Sequence, residues 1–222
     1  MAFPAWEFTS RGGKAVAVIS GIGEDAAARA AAFSLQHYQP QRLISLGFGG
    51  GLTPGLPAGA LVLGETFWRY EPDTGALQEL APPPSPVALR DLAERLQGMG
   101  LPAFRGSVVT TPAIIHKHNE GSPLLRLPHP VLDLETASLA AAANAEGLPL
   151  LSLRAVTDTY EEEIPEFIRK AVQKGTQPTA GAALRWLAAD PRRLAVLLRL
   201  WRRSRLAALQ LGQALAVVLE MV

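Results

Sequence analysis

Short apolar runs alternate with helix-length stretches from Ala15 to Val156, and that alternation points to an α/β domain built on a largely parallel, two-sided sheet. Ala15-Val16-Ala17-Val18-Ile19 reads as the first strand, then a Ser20-Gly21-Ile22-Gly23 turn and a helix from about Asp25 to His37. Leu43-Ile44-Ser45-Leu46 is a second strand, leading into a glycine-rich loop, Gly47-Phe48-Gly49-Gly50-Gly51. Ala60 to Leu63 reads as a strand with Phe67 to Tyr70 as its irregular continuation, Val87 to Gln97 as a helix and Phe104 to Thr110 as a strand. Ala81-Pro82-Pro83-Pro84-Ser85-Pro86 is a surface loop, because repeated proline removes backbone donors and fixes φ. A helix from Ser138 to Ala145, a Gly147-Leu148-Pro149 turn, a strand from Leu150 to Val156 and a helix from Pro165 to Gln173 follow.

Two acids stand out against this pattern. Glu135 follows the apolar run Val131-Leu132 through Asp133-Leu134, and Asp158 follows Ala155-Val156-Thr157. Each is expected just past the carboxyl end of a strand, where ligands collect in open α/β sheets. A β-α-β crossover of the length between them is right-handed and returns to the same sheet edge, so the two carboxylates should face one crevice. The glycine run leaves backbone N–H groups uncovered and suits the close approach of a sugar, base or phosphate edge. Gly21-Ile22-Gly23 lacks the third glycine of a dinucleotide fingerprint, which would fall at Ala26, and no acid closes the next strand; a nicotinamide cofactor is not indicated.

Other features read more simply. His116-Lys117-His118 has no third ligand at a metal spacing and is expected to be solvated surface, as is the Glu161-Glu162-Glu163 loop. From Asp190-Pro191, a good helix start, to Val222 the apolar residues Leu194, Leu197, Leu198, Trp201, Ala208, Leu211, Leu215 and Leu219 share one side at helical spacing. This predicts a long C-terminal helix covering one sheet face, with its weak points at Ser204 and Gly212 and its arginines in water or against anionic lipid. The net charge of +1 is too small for a general nucleic-acid binder. The chain has no cysteine, which fits a reducing cytoplasm. It also lacks a secretory leader and any apolar run of membrane-spanning length.

Taken in order, Ser20-Gly21-Ile22-Gly23, the Gly47 to Leu52 run with Pro57-Ala58-Gly59-Ala60-Leu61-Val62, Leu132-Asp133-Leu134-Glu135 and Arg154-Ala155-Val156-Thr157-Asp158 resemble the nucleoside phosphorylase and methylthioadenosine/adenosylhomocysteine nucleosidase superfamily. The tail from Gly181 to Arg205 and the Asp133-Leu134-Glu135 triplet are similar to a narrower branch, the hopanoid-associated phosphorylases. The resemblance implies a three-layer α/β/α sandwich around a mixed, mostly parallel sheet, one domain over residues 1–222 with a helical extension from about 181. It implies cleavage of a purine nucleoside's N-glycosidic bond by phosphorolysis or hydrolysis, a lipid-linked substrate in the narrower branch, and a cytoplasmic homo-oligomer.

Carried over by position, Asp158 donates a proton toward the purine and Glu135 holds the ribose hydroxyls. Leu134 presses on the sugar, Gly49 and Gly50 lie along the nucleoside, and Ile114 and Ile115 flank the base. Gly47, Phe48, Asp133 and Thr157 complete the expected binding set. No cofactor is implied, with inorganic phosphate as the candidate co-substrate. Family members begin with a further strand and loop ahead of the segment matching Ala15 to Ile19, and that strand is expected to be missing here. Phe48 replaces a small hydroxyl residue. The other expectation is a nucleoside-binding or assembly protein of the same fold with impaired catalysis.

Overall fold

Strand β1 (Ala5–Ser10) folds back antiparallel on β2 (Gly13–Val18), with Trp6 opposite Ala17 and Phe8 opposite Ala15. Helix α1 (Glu24–Tyr38) leads to β3 (Leu43–Gly51), β4 (Leu61–Glu71) and β5 (Ala76–Leu80). The chain then runs through α2 (Leu89–Gly98), β6 (Ala103–Thr110), the short α3 (Lys117–Glu120) and β7 (Val131–Asp133). Helix α4 (Thr136–Ala145), β8 (Leu150–Asp158), α5 (Glu166–Gln173), α6 (Ala180–Ala189) and α7 (Arg193–Met221) complete it. The computed structural model describes residues 3–10, 13–174, 176, 179–190 and 192–222.

The main sheet has the order β5-β4-β6-β7-β3-β8, and β8 pairs back onto β4, closing five of the strands into a ring. Closure works because β4 is long and divides its edge. Its first residues, Leu61 to Leu63, pair with Ala155 to Leu153 of β8, while Phe67 to Glu71 pair with β5. A register shift between Gly64 and Thr66 bends the strand between these two tasks. The pairings β3–β8, β4–β6 and β6–β7 are parallel; β3–β7, β4–β5 and β4–β8 are antiparallel, so the sheet is mixed.

Helices cover the sheet from two sides. Leu61, Leu63, Leu151 and Leu153 pack with Leu92 and Leu96 of α2 and with Ala207, Ala214 and Val218 of α7. Val62, Val108, Val131 and Val156 face Ala140 and Ala143 of α4, behind which lies α1. This is an α/β/α arrangement around a mixed sheet, as the family resemblance implies. Among the described residues no helix is long and apolar enough to cross a membrane.

Several local expectations change. Ala15 to Val18 do form a strand, but β2 pairs with β1 in a separate two-stranded sheet rather than opening the main one. The glycine run is the end of β3 rather than a loop, since β8 pairs with that strand from Leu43 to Gly50. The segment between the two acids is no simple parallel crossover: β7 runs antiparallel to the end of β3, β8 runs parallel to it, and the two flank it.

Helix α7 is unbroken at Ser204 and Gly212, and its buried residues are Ala207, Ala214, Val217 and Val218. Leu194, Leu198, Trp201 and Ala208 of the expected apolar stripe are exposed. The helix is apolar on more than one side, and alanines let it approach β8 more closely than leucines would. Asp190 accepts from Arg192 N at 2.9 Å and, through its carbonyl, from Arg193 N at 3.0 Å; Pro191 lies outside the described residues.

Candidate functional site

Gly50 is the junction of the site. In register it lies opposite Leu132 of β7 on one side and Asp158 of β8 on the other. A Cβ on Gly49 would lie 2.5 Å from Val131 Cγ2 and 2.8 Å from the Leu132 carbonyl; on Gly50 it would meet Asp158 Oδ2 at 2.8 Å. The glycines therefore let two acid-bearing segments close in on the end of one strand. A cavity of about 1210 Å³ opens there, lined by every residue the sequence put forward: Gly47, Phe48, Gly49, Gly50, Ile114, Ile115, Asp133, Leu134, Glu135, Thr157 and Asp158. Glu7 of β1 and Ser20 to Ile22 also line it.

Asp158, the last residue of β8 rather than the first beyond it, is buried. Its Oδ1 accepts from Thr157 Oγ1 at 2.8 Å and its Oδ2 lies 2.5 Å from Lys117 Nζ. Glu135 precedes α4 and is half-buried. Its Oε1 accepts from Gly23 N at 2.9 Å and its Oε2 from Leu134 N at 3.3 Å. Desolvation, then the neighbouring Asp133, raises its pKa above the ordinary 4.5; the Gly23 N–H, the Arg154 charge and the Leu134 N–H oppose that rise. The Gly21-Ile22-Gly23 turn thus gives the site a backbone donor for Glu135, at a glycine with φ 91°.

Asp133 is committed within the protein. Its Oδ1 accepts from Thr110 Oγ1 at 2.7 Å, and its Oδ2 meets Thr136 N at 3.0 Å, the Thr136 hydroxyl, and Arg154 Nε and Nη2 at 2.9 and 2.8 Å. Arg154 is buried, and its Nη2 also donates to Ser45 Oγ and Thr136 Oγ1 at 2.7 Å each. The pair fixes β7, β8, β3 and the start of α4 to one another beneath the cavity.

Lys117 is the residue sequence reasoning misplaced. It is 3% exposed, not solvated, and donates to the carbonyls of Asp158 and Thr159 at 3.0 and 2.7 Å. Its neighbours keep to the expected surface: His118 is exposed and His116 lies 3.6 Å from Glu163. Glu162 is not simply solvated, being paired with Arg203 and 3.7 Å from Arg199 of α7.

The model of the phosphorylase superfamily matches residues 2–185. A 5′-methylthioadenosine/S-adenosylhomocysteine nucleosidase of Glaesserella parasuis serovar 5 (strain SH0165) is 27% identical over 174 residues, 71% of this chain and 75% of that protein. Among solved structures, the 5′-methylthioadenosine/S-adenosyl homocysteine nucleosidase of Campylobacter jejuni is 20% identical with a TM-score of 0.61, covering 82% of this chain and 83% of that one. The futalosine hydrolase of Helicobacter pylori strain 26695 is 15% identical with a TM-score of 0.58, covering 84% and 86%. At these identities the structural likeness speaks for the fold.

Proposed function

The chain belongs to the phosphorylase superfamily, and on that premise we propose that it is an enzyme that breaks the N-glycosidic bond of a purine nucleoside. The observation that carries this reading is the junction at Gly50, which sets the Asp158 strand on one side and the Leu132 to Glu135 segment on the other of a single cavity. Breaking a C–N bond to a purine leaves negative charge on the base and cationic character on the sugar. A proton delivered to the base and a carboxylate holding the sugar therefore act mainly in the transition state.

In this reading Asp158 passes the proton to a purine nitrogen, with the Thr157 hydroxyl orienting its carboxylate. Glu135, held by the Gly23 and Leu134 N–H groups, accepts from the ribose hydroxyls. Leu134 packs on the sugar, Gly49 and Gly50 let the nucleoside lie along the backbone, and Ile114 and Ile115 flank the base. Gly47 and Phe48 border the sugar, and Asp133 acts by anchoring Arg154 beneath them. The nucleophile is water or phosphate.

Similarity to 5′-methylthioadenosine/S-adenosylhomocysteine nucleosidases favours a 5′-substituted adenosine. The large cavity and the exposed Leu194, Leu198 and Trp201 among the arginines of α7 favour a lipid-linked 5′ group presented at an anionic surface. The chain acts as one domain, in the cytoplasm, as a homo-oligomer.

Incubation with 5′-methylthioadenosine or S-adenosylhomocysteine, with and without phosphate, should release free adenine. Nucleoside binding by calorimetry with no release under either condition would favour the impaired binding protein instead.

A further inference from the structure

Lys117 has no part in the reading above, yet it is a buried, fully engaged cation at the cavity. Its ammonium has three protons and three acceptors: Asp158 Oδ2 at 2.5 Å, the Asp158 carbonyl at 3.0 Å and the Thr159 carbonyl at 2.7 Å. The two carbonyls belong to the end of β8 and the residue after it, so they hold the amine against the aspartate. The same glycine that opens the site makes room for the pair. A Cβ at position 50 would lie 2.8 Å from Asp158 Oδ2, 3.2 Å from Lys117 Cε and 3.4 Å from Lys117 Nζ. The carboxylate that this ammonium meets belongs to a residue lining the ligand cavity.

We propose that Lys117 is the positioning residue of Asp158, fixing its carboxylate and resupplying the proton that leaves with the base. This rests on Asp158 being the acid of the cleavage. As the C–N bond breaks, its electron pair passes to the base. The ammonium gives a proton to Asp158, and Asp158 gives one to the base nitrogen. The aspartate ends as the anion it began as, the lysine ends as the neutral amine, and the base departs protonated while the sugar carbon forms its new C–O bond to water or phosphate; the proton that the nucleophile sheds returns through solvent to the amine.

The test compares two leaving groups. 5′-Methylthioadenosine needs a proton on its base, whereas 4-nitrophenyl riboside releases a stable phenolate that does not. Lys117→Met should lose roughly 100-fold or more in kcat on the adenosine, within the usual range for lost acid assistance, and only about threefold or less on the phenolate substrate. A merely structural lysine would give equal losses on both, and that result would overturn the proposal. Because Lys117→Met leaves a buried carboxylate without its cation, the double variant Lys117→Met/Asp158→Asn carries the test should the single one fail to fold. It should be no slower than Asp158→Asn alone, since the lysine acts through the aspartate, and additive losses would again overturn the idea. Wild-type protein that turns over neither substrate would remove the functional reading itself. Turnover by wild type with a substrate-independent loss in the variants would remove only this inference.

Discussion

Two buried aspartate–cation pairs border the same cavity, and they differ in what they leave over. Asp133 and Arg154 close on each other and on Thr110, Thr136 and Ser45, so that both charges are taken up inside the protein. Asp158 and Lys117 close on each other only at Oδ2; Oδ1 is met by the Thr157 hydroxyl, and the residue lines the cavity. Similar chemistry at similar depth thus serves two ends. A charge pair whose carboxylate is filled with partners inside the protein holds strands together, and one whose carboxylate keeps acceptor capacity beside a cavity can exchange protons with a ligand.

The largest effect should come from breaking the closed pair. Arg154→Met strands the Asp133 carboxylate in the core and should destabilise the fold by roughly 3–5 kcal/mol. Urea unfolding would measure it, and a loss below about 1 kcal/mol would mean that the threonines alone hold Asp133. Breaking the open pair should register in chemistry as well. Asp158→Asn should fold yet release adenine about 10²- to 10⁴-fold more slowly; a folded variant with unchanged turnover would make both pairs structural.

Glu135 sharpens the contrast, being a carboxylate with backbone donors and no cation of its own among its hydrogen bonds. Glu135→Gln should reduce kcat/KM by about 10- to 100-fold, the value of a hydrogen bond to a charged group. Since burial raises the pKa of Glu135, the wild type should lose nucleoside affinity as pH falls through that raised value, and the glutamine variant should not. The stability term has the opposite sense. A carboxyl with a raised folded-state pKa contributes stability that is fully present below its ordinary value and lost as pH rises through the raised one, so the variant should flatten that slope in a melting series. The smallest effect belongs to the pair outside the cavity, Glu162 with Arg203. Glu162→Gln should cost about 0.2–1 kcal/mol in a thermal melt and leave turnover alone.

The open pair was half legible in the sequence and the closed pair could have been. Asp158 and Glu135 each follow an apolar run, and strand ends are where such acids meet ligands, so pattern alone brought them together. Lys117 sits between two histidines in a polar triplet, and nothing in its charge pattern distinguishes a buried ammonium from a solvated one. The only cue was Ile114-Ile115 just before it, of which Ile115 is buried. Arg154 was better signalled: a lone cation inside Leu150-Leu151-Ser152-Leu153-Arg154-Ala155-Val156 and a lone acid ending Val131-Leu132-Asp133 form a complementary pair in two apolar runs.

The fold was read by alternation, and alternation does not show partners. It missed that β2 pairs away from the main sheet and that β8 returns to β4, because pairing depends on edges distant in sequence. It also missed β5, although Pro72-Asp73-Thr74-Gly75, with Gly75 at φ 69°, marks the turn before it. On α7 the periodicity found a helix but not the face it buries, since small alanines rather than leucines make the close contact.

The most direct test is the crystal structure of the protein with a non-hydrolysable 5′-methylthioadenosine analogue. The account predicts a base nitrogen within hydrogen-bonding distance of Asp158 and ribose hydroxyls on Glu135, with the sugar over Gly49 and Gly50. An analogue bound with neither carboxylate in contact, or with both on the same end of the nucleoside, would contradict it.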